Sequence, residues 1–372
     1  MKRSIVLFAA LFSVISVSAG GRLRDYSICP GIFKTGENNA ITDVRGVKVG
    51  HVTLVSGDDV RTGVTAIIPH EGNIFQKKCP AALYVGNGFG KFAGATQINE
   101  LGNIETPIVL TNTLSVSAGI QGLVTYTLNQ RGNEKVRSVN AVVGETNDGK
   151  LNNIRKRVVT EKHVLQAINN AKGGPVEEGN VGAGTGTVCF GFKGGIGTSS
   201  RVLPESLGGY TVGVLVQSNY GGILEIDGVP VGKKLGKYSF KEDVEKEEEL
   251  SPDGSCMMII ITDAPLDSRN LQRLAKRAFM GLAKTGGIAS NGSGDYVLAV
   301  SVNKDNLIDS RTPYYFPTLL HNDAMSPLFA AAIEATEEAL WNSLFAASTV
   351  TSNGITIEAL PVEEVVEMFK NR

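Results

Sequence analysis

Five polar residues sit beside runs that read as buried strands: Glu145, Asn219, Ser255, Ser293 and Asp295. As a set they hold what acyl transfer needs. Ser255 is a candidate nucleophile. The Asn219 amide is a candidate donor to an oxyanion. Ser293 and Asp295 can relay or orient a proton, and Glu145 can hold a cationic amine. Ser255 follows Gly254 in the stretch 251–266, SPDGSCMMIIITDAPL. Pro252, Asp253 and Gly254 favour a tight bend. Residues 256–261 then form an apolar run of strand length, rich in isoleucine. A hydroxyl at that point can attack the carbonyl of Gly254, cut the chain and leave Ser255 as a new N-terminus. Its free α-amine, with a reference pKa of about 7.7–8.0, would serve as a base near neutral pH. Gly254, having no side chain, obstructs such an attack least. The plainer reading is a turn entering a core strand, with each of the other polar residues satisfying local backbone.

Other chemistries find less support. His51, His70, His163 and His321 are scattered, none near these motifs, so a Ser-His-Asp arrangement is not suggested. No HxxxH or HxH pair and no close cysteine spacing points to a metal, and no cofactor is expected. The glycine-rich tract 179–201 misses both nucleotide motifs. Phe192 stands where a P-loop needs lysine, and Thr187 where a dinucleotide motif needs its third glycine. The tract instead suggests close backbone packing, with free N–H groups lining a site.

The chain has 372 residues, 42% hydrophobic and 20% charged, with net charge -1. A packed core is expected. No basic field argues for nucleic acid or an anionic membrane. Lys2 and Arg3 precede an apolar stretch, 4–17, and Val17-Ser18-Ala19 offers a cleavage point. Residues 1–19 therefore read as a secretory signal peptide, too short for a good membrane span. The mature protein is expected to be exported and periplasmic. Export permits disulfides, and a Cys29–Cys79 bridge is one option. Cys189 and Cys256, in apolar surroundings, read as buried thiols.

Positioning these residues requires strands at 62–69, 81–86, 107–110, 139–143, 210–217 and 295–302. Helices are predicted at 114–128, 161–171, after a cap at Asp267/Ser268, from Ser326 to 346, and at 362–369. The polar residues then fall just past strand ends. The charge run 241–249 reads as a solvated loop that would let cut ends separate. With no linker and no repeat, one α+β domain with helices packed on sheet faces follows.

The tract GNVGAGTGTVCFGFKGGIGTSSR, the ending SNYG, the DGS…TDAPL stretch and SGD at 293–295 resemble the P1 family of self-processing serine aminopeptidases. This group contains L-aminopeptidase/D-esterase and the β-peptidyl aminopeptidases. The resemblance runs from about residue 41 to about residue 361. It implies a four-layer αββα sandwich, like that of N-terminal-nucleophile hydrolases but differently connected. It also implies an α chain 20–254 and a β chain 255–372, held together in a homotetramer of such pairs. By motif, Ser255 is the nucleophile of cleavage and hydrolysis, and Asn219 the oxyanion asparagine. Ser293 and Asp295 match a Ser-x-acid pair behind the nucleophile, where relatives carry glutamate. Glu145 of GETNDG matches the residue that binds the substrate amine, and Asn147 stands where some relatives have an aromatic. The implied substrates are small peptides, amides or esters with a free N-terminal amine. β-Peptidyl specificity is favoured over the L-aminopeptidase/D-esterase type. Two alternatives lie outside the group: an ornithine-acetyltransferase-like acyltransferase, which normally uses threonine at the cut, and a non-catalytic binding protein.

Overall fold

The computed structural model describes residues 20–241 and 253–370. The expected signal peptide, Pro252 and all of the charge run except Lys241 lie outside the described residues. In chain order the main strands are β1 (Lys48–Ser56), β2 (Val60–Ile68), β3 (Lys77–Gly88), β4 (Phe92–Ala93), β5 (Ile108–Asn112), β6 (Val142–Thr146), β7 (Gly195–Val202), β8 (Thr211–Asn219), β9 (Asp253–Thr262) and β10 (Gly292–Ser301). The main helices are α1 (Val116–Leu128), α2 (Glu161–Asn169), α3 (Ser268–Lys284) and α4 (Ser326–Phe345).

One sheet runs β1-β2-β5-β6-β4 and the other is built on β7-β8-β9-β10-β3. Each has one parallel pair among antiparallel neighbours: β5 with β6, and β9 with β10. A parallel pair needs a crossover, and α1 and α3 supply the two crossovers. Three apolar layers define the stack. Val64, Val109 and Val143 pack with Leu123 of α1 and Val164 of α2. Ile67, Leu110 and Val142 meet Leu215, Met257 and Ile259 between the sheets. Val214, Met258 and Ile260 pack on Leu274 of α3 and Leu340 of α4. The order is helices, sheet, sheet, helices, and the expected αββα sandwich is the fold.

The run at 256–261 has its reason in this stack. Met257, Ile259 and Ile261 enter the inter-sheet core, while Cys256, Met258 and Ile260 enter the helix-side core. A strand buried on both faces cannot alternate with polar residues, so it reads as continuous apolar sequence. All six side chains are fully buried, and each large aliphatic one contributes roughly 1.5–3 kcal/mol. The crossover α3 is capped by Asp267, whose side chain accepts from the Asn270 amide at 2.8 Å.

Two expectations need correction. The polar residues do not lie past the strand ends. Glu145 and Asn219 are inside β6 and β8, and Gly254, Ser255, Ser293 and Asp295 are inside β9 and β10. The bend predicted at Gly254 is a strand, because Gly254 pairs with Ser293. Local propensity cannot register a ladder partner 39 residues away. The Cys29–Cys79 bridge is also absent: both thiols are free. Cys79 is sealed in the inter-sheet core, whereas Cys29 is exposed. Cys189 and Cys256 are fully buried, as expected.

Candidate active site

A cleft of about 930 Å³ opens where β6, β8 and β9 reach the same edge of the stack. Its wall includes Glu145, Asn147, Asn219, Gly254 and Ser255, and also Lys91, Thr113, Lys150 and Lys237. Ladder register brings the central residues together. Asn219 on β8 is opposite Ser255 on β9, and Ser255 is opposite Gly294 on β10.

Ser255 is buried and donates its hydroxyl to the Gly254 carbonyl oxygen at 2.7 Å. The Gly294 amide donates to the same Oγ at 3.2 Å. The hydroxyl is therefore held against the peptide bond that precedes it. Gly294 has to be glycine for packing reasons: a Cβ there would lie 2.8 Å from the Phe89 carbonyl oxygen. The loop 89–90 can close on the strand only because that volume is empty.

Asn219 is fixed from both ends. Its Oδ1 accepts the Val188 amide at 2.9 Å, and its Nδ2 donates to the Asn147 carbonyl at 3.1 Å. An amide nitrogen carries two N–H groups, so a second donor remains beside Ser255. The glycine-rich tract holds this arrangement. Besides the Val188 contact, the Phe190 amide donates to the Tyr220 carbonyl at 2.7 Å, and the two rings pack edge to face at 4.9 Å. Phe190 has a φ of 52°, a region a bulky side chain enters only under tertiary constraint. The tract was expected to offer free N–H groups; those of Val188 and Phe190 are instead bonded to the SNYG ending, which they hold in place.

Glu145 is buried, with its carboxylate at the cleft wall. It accepts the Lys91 amide at 2.9 Å and the Thr113 hydroxyl, and the Lys91 ammonium lies 3.6 Å away. The Lys91 side chain is 57% exposed, whereas that of Glu145 is almost fully buried. Sequence reasoning missed Lys91 and Thr113, although Thr113 ends the TNT triplet after a predicted strand. Asn147 lines the cleft, but its side chain turns back to accept the Gly149 amide at 2.9 Å. Its carbonyl, not its amide group, touches another site residue.

Ser293 and Asp295 are on the other face of the sheet. Along β10, Tyr296, Leu298 and Val300 point between the sheets, while Val297 and Ala299 point to the helices. Ser293 and Asp295 share the parity of Val297. Ser255 shares that of Met257, which points between the sheets. By register Ser293 is opposite Gly254, and Asp295 is opposite Cys256. The pair therefore flanks the backbone on both sides of Ser255 from behind. Burial pushes the Asp295 carboxyl up to about 6, with the Ser293 hydroxyl and the Cys256 amide pulling the other way. These two groups are near but out of hydrogen-bond geometry. Ser293 Oγ and both Asp295 oxygens are buried without a partner. Asp295 in turn raises the neighbouring Cys256 thiol, whose shift comes chiefly from burial.

Among the described residues no group of histidine, cysteine, aspartate and glutamate side chains could hold a metal ion. No described helix is long and apolar enough to cross a membrane.

Known proteins share this fold and much of the sequence. The β-peptidyl aminopeptidase BapA of Sphingosinicella microcystinivorans is 39% identical, over 100% of this chain and 97% of its own length. The solved β-aminopeptidase of a Burkholderia species is 41% identical, with a TM-score of 0.86, over 94% of this chain and 99% of that one. The L-aminopeptidase D-Ala-esterase/amidase of Ochrobactrum anthropi is described as a prototype for the serine aminopeptidases and a variant of the Ntn hydrolase fold. It is 32% identical, with a TM-score of 0.85, over 94% of this chain and 98% of that one. The present protein is an aminopeptidase of the same Ntn-hydrolase-like architecture. The profile of peptidase family S58 matches residues 39–357, and the chain belongs to that family.

Proposed function

We propose that the protein is an exported, self-processing aminopeptidase in which Ser255 is the nucleophile, with preference for N-terminal β-amino acid residues. The observation that carries this reading is the Ser255 hydroxyl, buried in the cleft wall 2.7 Å from the carbonyl oxygen of its own preceding residue. In the first step Oγ adds to the Gly254 carbonyl carbon and the peptide C–N bond breaks. The Gly254 acyl group passes to Oγ as an ester, and the Ser255 nitrogen takes up the hydroxyl proton as a free amine. Water then hydrolyses the ester, leaving an α chain that ends at Gly254 and a β chain that begins at Ser255.

In turnover the new α-amine accepts the Oγ proton as the hydroxyl attacks a substrate carbonyl. The second N–H of Asn219 stabilises the developing oxyanion. Glu145 binds the substrate ammonium, displacing Lys91, which restricts cleavage to the N-terminal residue. Ser293 and Asp295, on the reverse face, act on the α-amine and not on Oγ.

Mass spectrometry of the purified protein tests this. Wild type is expected as two chains, the second starting at Ser255. Ser255→Ala is expected uncut, with turnover lowered by about 10³-fold or more. Cutting at Gly254 in that variant would sink the assignment. The names of the Sphingosinicella and Burkholderia relatives support β-residue preference, and that of the Ochrobactrum relative supports L-residue amides with D-alanyl esters and amides as a second reading. Rates on β-alanyl, L-alanyl and D-alanyl amides separate the two.

Export to the periplasm rests on residues 1–19. Assembly of the α/β pairs into a homotetramer is supported by large apolar side chains on the surface, including Tyr314 and Phe316, which are 74% and 87% exposed. Sedimentation of the processed protein reads that state directly.

A further inference from the structure

The cleft is electrically lopsided. Its described wall holds one carboxylate, Glu145, and three ammonium groups, Lys91, Lys150 and Lys237. Lys91 is already beside Glu145. Lys150 and Lys237 are therefore in surplus, in a chain whose net charge is only -1. Neither forms an ion pair among the described residues. Lys237 is held in place: its ammonium sits over the Phe192 ring, 4.1 Å from the centroid. Burial lowers its pKa first, and repulsion from Lys150 adds to this, with Glu358 pulling the other way. Both side chains line the same cleft. Two ammonium groups on one cleft wall, neither in an ion pair among the described residues, favour an anionic ligand group at that point.

We propose that Lys150 and Lys237 bind a carboxylate on the leaving part of the substrate, so that short peptides with a free C-terminal carboxylate, dipeptides first, are the preferred class. This rests on the aminopeptidase reading above. Glu145 takes the ammonium at one end of such a molecule. The scissile carbonyl then lies at Ser255 and Asn219, and the lysine pair takes the carboxylate beyond it. The bound zwitterion meets opposite charge at both ends, whereas an amidated or longer peptide loses the second contact.

The test compares kcat/KM for β-alanyl-alanine, β-alanyl-alaninamide and β-alanyl p-nitroanilide. Wild type is expected to favour the free acid over its amide by about tenfold, the range of a charge-assisted contact. In Lys150→Met/Lys237→Met that ratio should fall to about 1–2. Lys237→Arg, which keeps the cation, should retain it. Added salt should lower the wild-type ratio, since the contact is partly solvated. A wild-type ratio near 1 would overturn the proposal. So would a double variant that loses rate on both alanine substrates by one common factor, because that marks a packing role. The p-nitroanilide carries no carboxylate and reports the parent reading separately. If wild type leaves it intact, the aminopeptidase reading fails, and this inference falls with it.

Discussion

Glu338 and Asp295 are both fully withdrawn from solvent, yet they are treated in opposite ways. Burial alone would raise either carboxyl. At Glu338 the Arg24 and Arg201 guanidinium groups and the Asn39 amide outweigh burial and hold it below the usual range. Arg201, itself fully buried, spans Glu338 at 2.8 Å and Glu334 at 3.0 Å, and Arg24 meets Glu338 at 2.7 Å. Among the described residues Asp295 has no cation partner, and its oxygens accept no hydrogen bond. The first cluster pins the N-terminal segment to α4 and β7. The second is costly to keep and stands behind the proposed nucleophile. Buried polar groups are nearly always satisfied, and both oxygens of Asp295 depart from that rule.

The largest expected effect is on the satisfied cluster. Glu338→Ala leaves two guanidinium groups facing an empty space. Unfolding in urea should show a loss of about 3–5 kcal/mol. Turnover per folded molecule should change little by comparison. A loss below about 1 kcal/mol would break the contrast, since the cluster would then be no more than a surface-like pair.

Asp295→Asn should move the other way. The raised carboxyl titrates near 6 in the folded state and near 3.8 when unfolded. Below both values the group is neutral in each state and contributes nothing. As pH rises between them the unfolded chain ionises first, so stability falls, and the full penalty stands above 6. A two-unit difference amounts to about 2–3 kcal/mol. The asparagine variant should therefore be more stable than wild type at pH 8 and equal to it at pH 2. Its self-cleavage and turnover should fall by about 10²-fold. Equal stability at both pH values would mean that the carboxyl has a partner after all. Glu338 works in the reverse sense: its contribution is present above the unfolded carboxyl range and is lost as pH falls through the folded value.

The strongest legibility in the sequence belonged to the strand at 256–261 and to the motifs at 219, 255 and 293–295. Two-sided burial writes itself as an unbroken apolar run, and that run marks the strand of the proposed nucleophile. Face, however, was not legible. Residue spacing alone did not say which face Ser293 and Asp295 take; the family resemblance implied a place behind Ser255, and the register with Gly254 and Cys256 agrees with it. Strand ends were short by two or three residues at Glu145 and Asn219, because pairing, not propensity, extends a strand there. The cationic side of the cleft was also hidden. Lys91, Lys150 and Lys237 are far apart in sequence and lie in no motif, and a lysine in a loop normally means only solvation.

Lys91 gives the smallest and sharpest test of how Glu145 differs from both buried carboxylates. Glu145 has partners, as Glu338 does, but one of them is replaceable. The Lys91 side chain is more than half exposed and 3.6 Å from Oε1. An ion pair of that kind is worth about 0–1 kcal/mol, so a substrate ammonium can displace it at small cost. Lys91→Met removes the competitor and leaves the Lys91 amide and the Thr113 hydroxyl on the carboxylate. KM for β-alanyl p-nitroanilide should then fall by about two- to fivefold, as the pair's worth converts. Its dependence on added salt should change in step, because one cation no longer contests the site. If KM rises instead, Lys91 is a substrate contact and not a stand-in, and Glu145 belongs with the permanently satisfied carboxylates.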